Sequence, residues 1–140
     1  EQDLLRELLP FLEEQYRLES GPQQRAIVGL SMGGGQSLTI GLKHLDEFAW
    51  IGGFSAAAPQ AEREDESSSL IADVAASNRQ LKLLCVGCGK DDFLLERNRN
   101  FIRWLSERGI EHQYRETDGG HDWMVWRKYL ADFLPLLFRN

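Results

Sequence analysis

Arg25-Ala26-Ile27-Val28-Gly29-Leu30-Ser31-Met32-Gly33-Gly34-Gly35-Gln36-Ser37-Leu38 runs from an apolar stretch, through a serine set between two glycines, into small residues that open a helical pattern. The apolar part reads as a short strand over residues 25–30. The following part reads as a helix from about Gly34 to His44. A strand that turns this sharply into a helix strains the central serine and leaves its hydroxyl exposed. The flanking glycines leave room for the two elements, and for a substrate, to come close. A G-x-S-x-G pattern is short, and a strand-to-helix turn with an idle serine would look the same. The remainder of the chain has to separate the two.

Outward from that turn, extended and helical segments alternate. Residues 3–17 carry Leu4, Leu5, Leu8, Leu9 and Leu12 at helical spacing, with Pro10 predicting either a kink or a start near Leu9. Ser20-Gly21-Pro22 breaks the chain before the first strand. Residues 48–54 read as a second, buried strand, followed by the small-residue loop Ser55-Ala56-Ala57-Ala58-Pro59. Residues 61–69 are polar and charged, a solvated excursion, and 70–76 form a short helix candidate. A third buried strand over 81–87 leads into the turn Cys88-Gly89-Lys90-Asp91-Asp92. Residues 93–108 form an amphipathic helix stopped by Gly109. Residues 111–117 suit an outer strand, 118–121 a loop, and 123–138 a last helix. Strand and helix in alternation imply an α/β architecture, a four-stranded parallel sheet with helices on both faces. There is no internal repeat or low-complexity tract.

In such sheets the reacting groups gather at the carboxyl ends of the strands. Three of those ends supply Ser31, the pair Asp91-Asp92, and His121, in that chain order. A serine hydroxyl is a poor nucleophile at neutral pH. An imidazole must take its proton, and a carboxylate must fix the tautomer of that imidazole. Ser, acid, His is the order of the α/β-hydrolase arrangement. Spacing alone leaves the acid open between Asp91 and Asp92. Asp92 is preferred, and its neighbour is expected to cap the next helix; Asp118 stands too close in sequence to His121. His44, near a helix end, and His112, in the outer strand, read as surface residues, and Asp122 as a helix cap. The backbone N–H of Met32, directly after the serine, is the expected first oxyanion donor. Trp123 is expected to line a substrate pocket. Trp126 is expected to pack its helix on the sheet, and Trp50 and Trp104 to serve packing alone.

The 140 residues are 42% hydrophobic and 27% charged with a net charge of −6, the balance of an ordinary one-domain chain. An acidic surface argues against a nucleic-acid partner. No apolar run has the length of a membrane span, and the start lacks a signal-peptide pattern. Cys85 and Cys88 form one C-x-x-C on the third strand. Three positions apart on a strand point to opposite faces, so two small core residues are a better reading than a metal or redox pair.

The residues Arg25 to Leu38 resemble the nucleophile elbow of the esterase D-like esterases, a family of the α/β-hydrolase fold. The resemblance is closest to the feruloyl and acetyl-xylan esterase modules found with bacterial xylanases. It continues through Phe48-Ala49-Trp50-Ile51-Gly52 and Phe54-Ser55, then Cys88-Gly89-Lys90-Asp91-Asp92, where the second acid matches the family's triad acid. It closes on Gly119-Gly120-His121-Asp122-Trp123-Met124-Val125-Trp126-Arg127, and Leu9-Pro10-Phe11-Leu12-Glu13 resembles the helix ahead of the elbow. This implies a serine esterase that removes feruloyl or acetyl groups from xylan without metal or cofactor. It also implies a secreted or periplasmic parent protein. The chain corresponds to the carboxy-terminal portion of the family's domain, and Glu1 stands already inside a helical pattern. The early strands, and the loop that carries a second oxyanion donor, are therefore expected to lie outside it. Open sheet edges would then favour self-association.

Overall fold

The computed structural model describes residues 1–60 and 70–139. The polar stretch 61–69 lies outside the described residues. Four strands, β1 (Ala26–Leu30), β2 (Trp50–Phe54), β3 (Leu83–Gly89) and β4 (Gln113–Thr117), pair in parallel in the order β1-β2-β3-β4. Registers run Ala26 against Trp50, Trp50 against Leu83 and Cys85 against Gln113. Sequential parallel neighbours require a crossover between each pair. Those crossovers carry α2 (Ser31–Lys43), α3 (Val74–Gln80) and α4 (Leu95–Glu107), and α5 (Trp123–Phe133) follows β4.

Burial divides by face, as a sheet covered on both sides demands. Leu38 and Leu42 of α2 and Phe101, Trp104 and Leu105 of α4 pack over Ile51, Leu84 and Val86. On the opposite face Val125, Tyr129 and Phe133 of α5 meet Trp50, Phe54 and Leu83. β2 is buried along its whole length, whereas every residue of the edge strand β1 is only half-buried.

Several boundaries differ from the sequence reading. α2 starts at Ser31 itself, three residues before the expected Gly34, because the elbow passes from strand to helix with no intervening turn. Residues 70–73 are not helical; Leu70 is buried from a turn, and α3 begins only where the Asp73 side chain accepts the Ala76 N–H at 3.0 Å. β3 extends two residues further, through Gly89. The last helix ends at Phe133, since Pro135 cannot continue it and a 3₁₀ turn over Leu134–Leu136 follows. Near Pro10 the interruption is a change of helix type, from a π-helical Asp3–Leu8 to α1 (Leu9–Gln15). Gly109 does stop α4. With φ of 71° it lets its own N–H reach Ser106 O and the Ile110 N–H reach Leu105 O, a Schellman closure.

Candidate active site

The ends of β1, β3 and β4 bring Ser31, Asp92 and His121 together. Ser31 sits at the first position of α2 with φ of 53°, a left-handed conformation that a serine adopts only under constraint. The constraint is local. A Cβ on Gly29 would lie 2.3 Å from the Gly33 carbonyl oxygen, so the strand and the helix turn touch backbone to backbone. A Cβ on Gly33 would meet nothing within 4 Å. The first glycine of the motif is thus the one the close approach requires.

His121 Nε2 stands 2.9 Å from Ser31 Oγ, and His121 Nδ1 stands 2.9 Å and 3.1 Å from the two carboxylate oxygens of Asp92. A carboxylate accepts, so Nδ1 carries the proton and donates it there. The Nε2 lone pair is left to accept the serine O–H. The Asp92 side chain is 0% exposed and that of His121 20%, so the acid lies inside the protein and the imidazole borders the surface. The same Asp92 also accepts the Leu94 N–H at 2.8 Å. This corrects the expectation that its neighbour would cap the helix: Asp91 is exposed, the Leu94 N-cap of α4 carries no side-chain cap, and Asp92 instead closes the turn ahead of the helix while it orients the imidazole.

The loops that carry Asp92 and His121 are joined directly. Lys90 N–H donates to Thr117 O and Asp91 N–H to Gly119 O, and Lys90 pairs with Asp118 at 2.9 Å. Asp118 is thereby committed to a lysine. Asp122 caps α5, accepting from Met124 and Val125 N–H. His44 pairs with Glu1, and His112 bonds Ile110 O just ahead of β4; neither approaches the serine.

The surroundings of the imidazole are aromatic. Phe93 lies 4.5 Å from the His121 ring, tilted by 44°, and Trp126 meets it edge-on at 4.9 Å and 89°. The sequence places Phe93 at the head of the amphipathic helix 93–108, but α4 starts only at Leu95 and Phe93, directly after Asp92, turns to the imidazole instead. Trp126 packs on the sheet as expected and also meets the ring. Trp123, by contrast, stands exposed at the start of α5. The Met32 N–H belongs to the first turn of α2, where the helix offers no intrahelical acceptor, and the residue is 70% exposed. Beside it opens a cleft of about 780 Å³ bordered by Met32, Gln36, Thr39, Ala57 and Arg97. Cys85 and Cys88 are free thiols. Burial, with the charge of Asp92 adding to it, pushes the Cys88 thiol up to about 12.

Comparison with known proteins agrees with this geometry. The model of the family described as "Putative esterase" matches residues 1–137. The chain belongs to this esterase family. An acetyl esterase of Caldicellulosiruptor saccharolyticus is 27% identical over 156 residues, covering 90% of this chain and 59% of that protein. A solved ferulic acid esterase is 35% identical with a TM-score of 0.79, over 96% of this chain and 58% of its own. A CE1 ferulic acid esterase from Anaeromyces mucronatus, in complex with ferulic acid, is 25% identical with a TM-score of 0.82, over 98% and 53%. The esterase chain thus spans less than two thirds of each of these relatives, and its parallel sheet with flanking helices is the α/β-hydrolase arrangement they share.

Proposed function

We propose that this chain carries the catalytic centre of a serine carboxylic-ester hydrolase that removes feruloyl or acetyl groups from plant cell-wall xylan. The observation that carries the reading is the hydrogen-bonded relay from Ser31 Oγ through His121 to buried Asp92. In the acylation step Ser31 Oγ attacks the ester carbonyl carbon as its proton passes to His121 Nε2. The carbonyl π electrons move onto oxygen, and Met32 N–H is one donor to that oxyanion. Collapse breaks the bond to the alkoxy oxygen, which takes the proton from His121 and leaves as the alcohol. Water repeats the sequence on the acyl-enzyme and releases the acid. Asp92 stays ionised throughout, holding the tautomer and offsetting the imidazolium charge.

The second oxyanion donor is expected, from the resemblance, in a loop of the whole protein beyond these residues. The apolar side chains offered to the acyl group are Phe93, which lies against the His121 ring, and Met32 and Trp123, which follow the serine and the histidine in the chain; all three are more than half exposed. The acetyl esterase and ferulic acid esterase names among the relatives support this substrate class. A xylan ester is extracellular, so secretion or a periplasmic site goes with the reading.

The test compares the protein with its Ser31→Ala variant on methyl ferulate, acetylated xylan, a short-chain acyl ester and an acyl thioester. Turnover of the first two, lost on substitution by a factor of about 10⁴ or more, supports the reading. Undiminished hydrolysis by Ser31→Ala would sink the nucleophile. Preference for the thioester would replace xylan with another acyl substrate.

A further inference from the structure

After β2 the chain turns through Ser55, a fully buried residue whose φ of 45° lies in the left-handed region. Such a conformation persists only where its surroundings over-determine it. The next three residues carry their carbonyls to α4, where two adjacent side chains meet them. Asn98 Nδ2 donates to Ala56 O at 2.9 Å. Arg97 donates from Nη2 to Ala57 O at 3.1 Å and from Nε to Ala58 O at 2.5 Å. Asn98 is wholly buried, and its Nδ2 also donates to Leu94 O at 2.8 Å. Two carbonyl acceptors on one nitrogen fix which way the amide points.

The loop so held supports the nucleophile from behind. Ala57 N–H donates to the Ser31 carbonyl oxygen at 2.8 Å. A Cβ on Gly35 would lie 2.3 Å from Ala57 O, so the loop and the first turn of α2 are in backbone contact. The same end of α4 is tied to the acid, since Asp92 Oδ1 accepts the Leu94 N–H. Residues 94–98 therefore hold both ends of the relay. They hold Asp92 directly, and Ser31 through the loop.

We propose that Arg97 and Asn98 are positioning residues that keep Ser31 in register with His121 and Asp92 by clamping the carbonyls of residues 56–58. The proposal rests on Ser31 being the nucleophile. Its consequence is geometric. A displacement of about 1 Å at a reacting atom can cost about 10²-fold in rate, and this loss falls on kcat. Arg97 also borders the cleft beside Met32, and a substrate contact there would instead show in KM.

Arg97→Met keeps the aliphatic stem and removes both hydrogen bonds, Arg97→Lys can reach one carbonyl, and Asn98→Ala removes the third. Each is assayed on p-nitrophenyl acetate, and Ala57 amide exchange is followed by NMR. For Arg97→Met we expect kcat lower by about 10- to 100-fold with KM within about twofold, and partial recovery in Arg97→Lys. Ala57 exchange should quicken at least about tenfold while amides in the middle of α2 keep their protection. Unchanged kcat, or a raised KM at constant kcat, overturns the positioning role, and unchanged Ala57 exchange overturns the clamp. Should Asn98→Ala not fold, the two Arg97 variants decide. A protein that hydrolyses no ester would sink the esterase reading, while Ala57 exchange still judges the clamp by itself.

Discussion

At the scale of single residues the proposed chemistry depends on how Ser31 is held. Its left-handed φ is maintained by the contact between Gly29 and the Gly33 carbonyl in front and by the Ala57 N–H behind. Gly29→Ala forces a methyl group against a backbone carbonyl that no rotamer change can move. We expect it to lower stability by about 1–3 kcal/mol, the usual range of overpacking, or more. Gly33→Ala enters open space and should change stability by less than about 1 kcal/mol. Urea denaturation of the two variants checks this, and equal stabilities would refute the asymmetry. Asp92 was separable from Asp91 only in three dimensions. Adjacent residues share one turn, and the direction of each carboxylate is set by the Leu94 N–H and the His121 ring.

Among elements, β4 and α4 show how an edge strand is secured. Arg99 on α4 donates from Nε and Nη2 to the two oxygens of Glu116 on β4, and the Tyr114 hydroxyl donates to the same carboxylate. The Arg99 hydrogen bonds, aided by Tyr114, draw Glu116 down from its ordinary 4.5 to about 2. A carboxyl group with a depressed folded-state value binds its proton more readily when unfolded. It therefore adds stability that is complete above about pH 4.5 and is lost as pH falls toward 2. The stability advantage of the protein over Glu116→Gln should be constant near neutrality and shrink through that window, as read by denaturation at a series of pH values. A difference that does not vary with pH would contradict it. Element types were legible because the inner strands are short apolar runs, whereas the helices space their apolar residues at a period of about 3.6. Their ends were not. Apolar Leu70 mimicked a helix start although it packs from a turn, and the Ser31 helix began inside the motif because the elbow has no spacer.

For the whole molecule, the described sheet has two outer strands. In β4, Gln113 and Arg115 are exposed while Arg99 of α4 holds Glu116. β1, which delivers Ser31, has a neighbour on one side only among the described residues and is half-buried throughout. A strand edge of that kind presents unpaired backbone groups to other chains. We predict that the 16.0 kDa chain, prepared alone, sediments as species heavier than a monomer; a monodisperse monomer with full ester turnover would refute this. The sequence by itself determined the alternating α/β order, the strand-to-helix turn at Ser31 and the succession of serine, acid and histidine. These follow from local periodicity and from steric demands that neighbouring residues impose on one another. Only the tertiary structure decided that Asp92 faces His121, that Phe93 and Trp126 flank the imidazole, and that Arg97 and Asn98 brace the loop behind Ser31. Those contacts join residues from separate crossovers, and their distances are set by how the helices pack on the sheet, which no local pattern encodes.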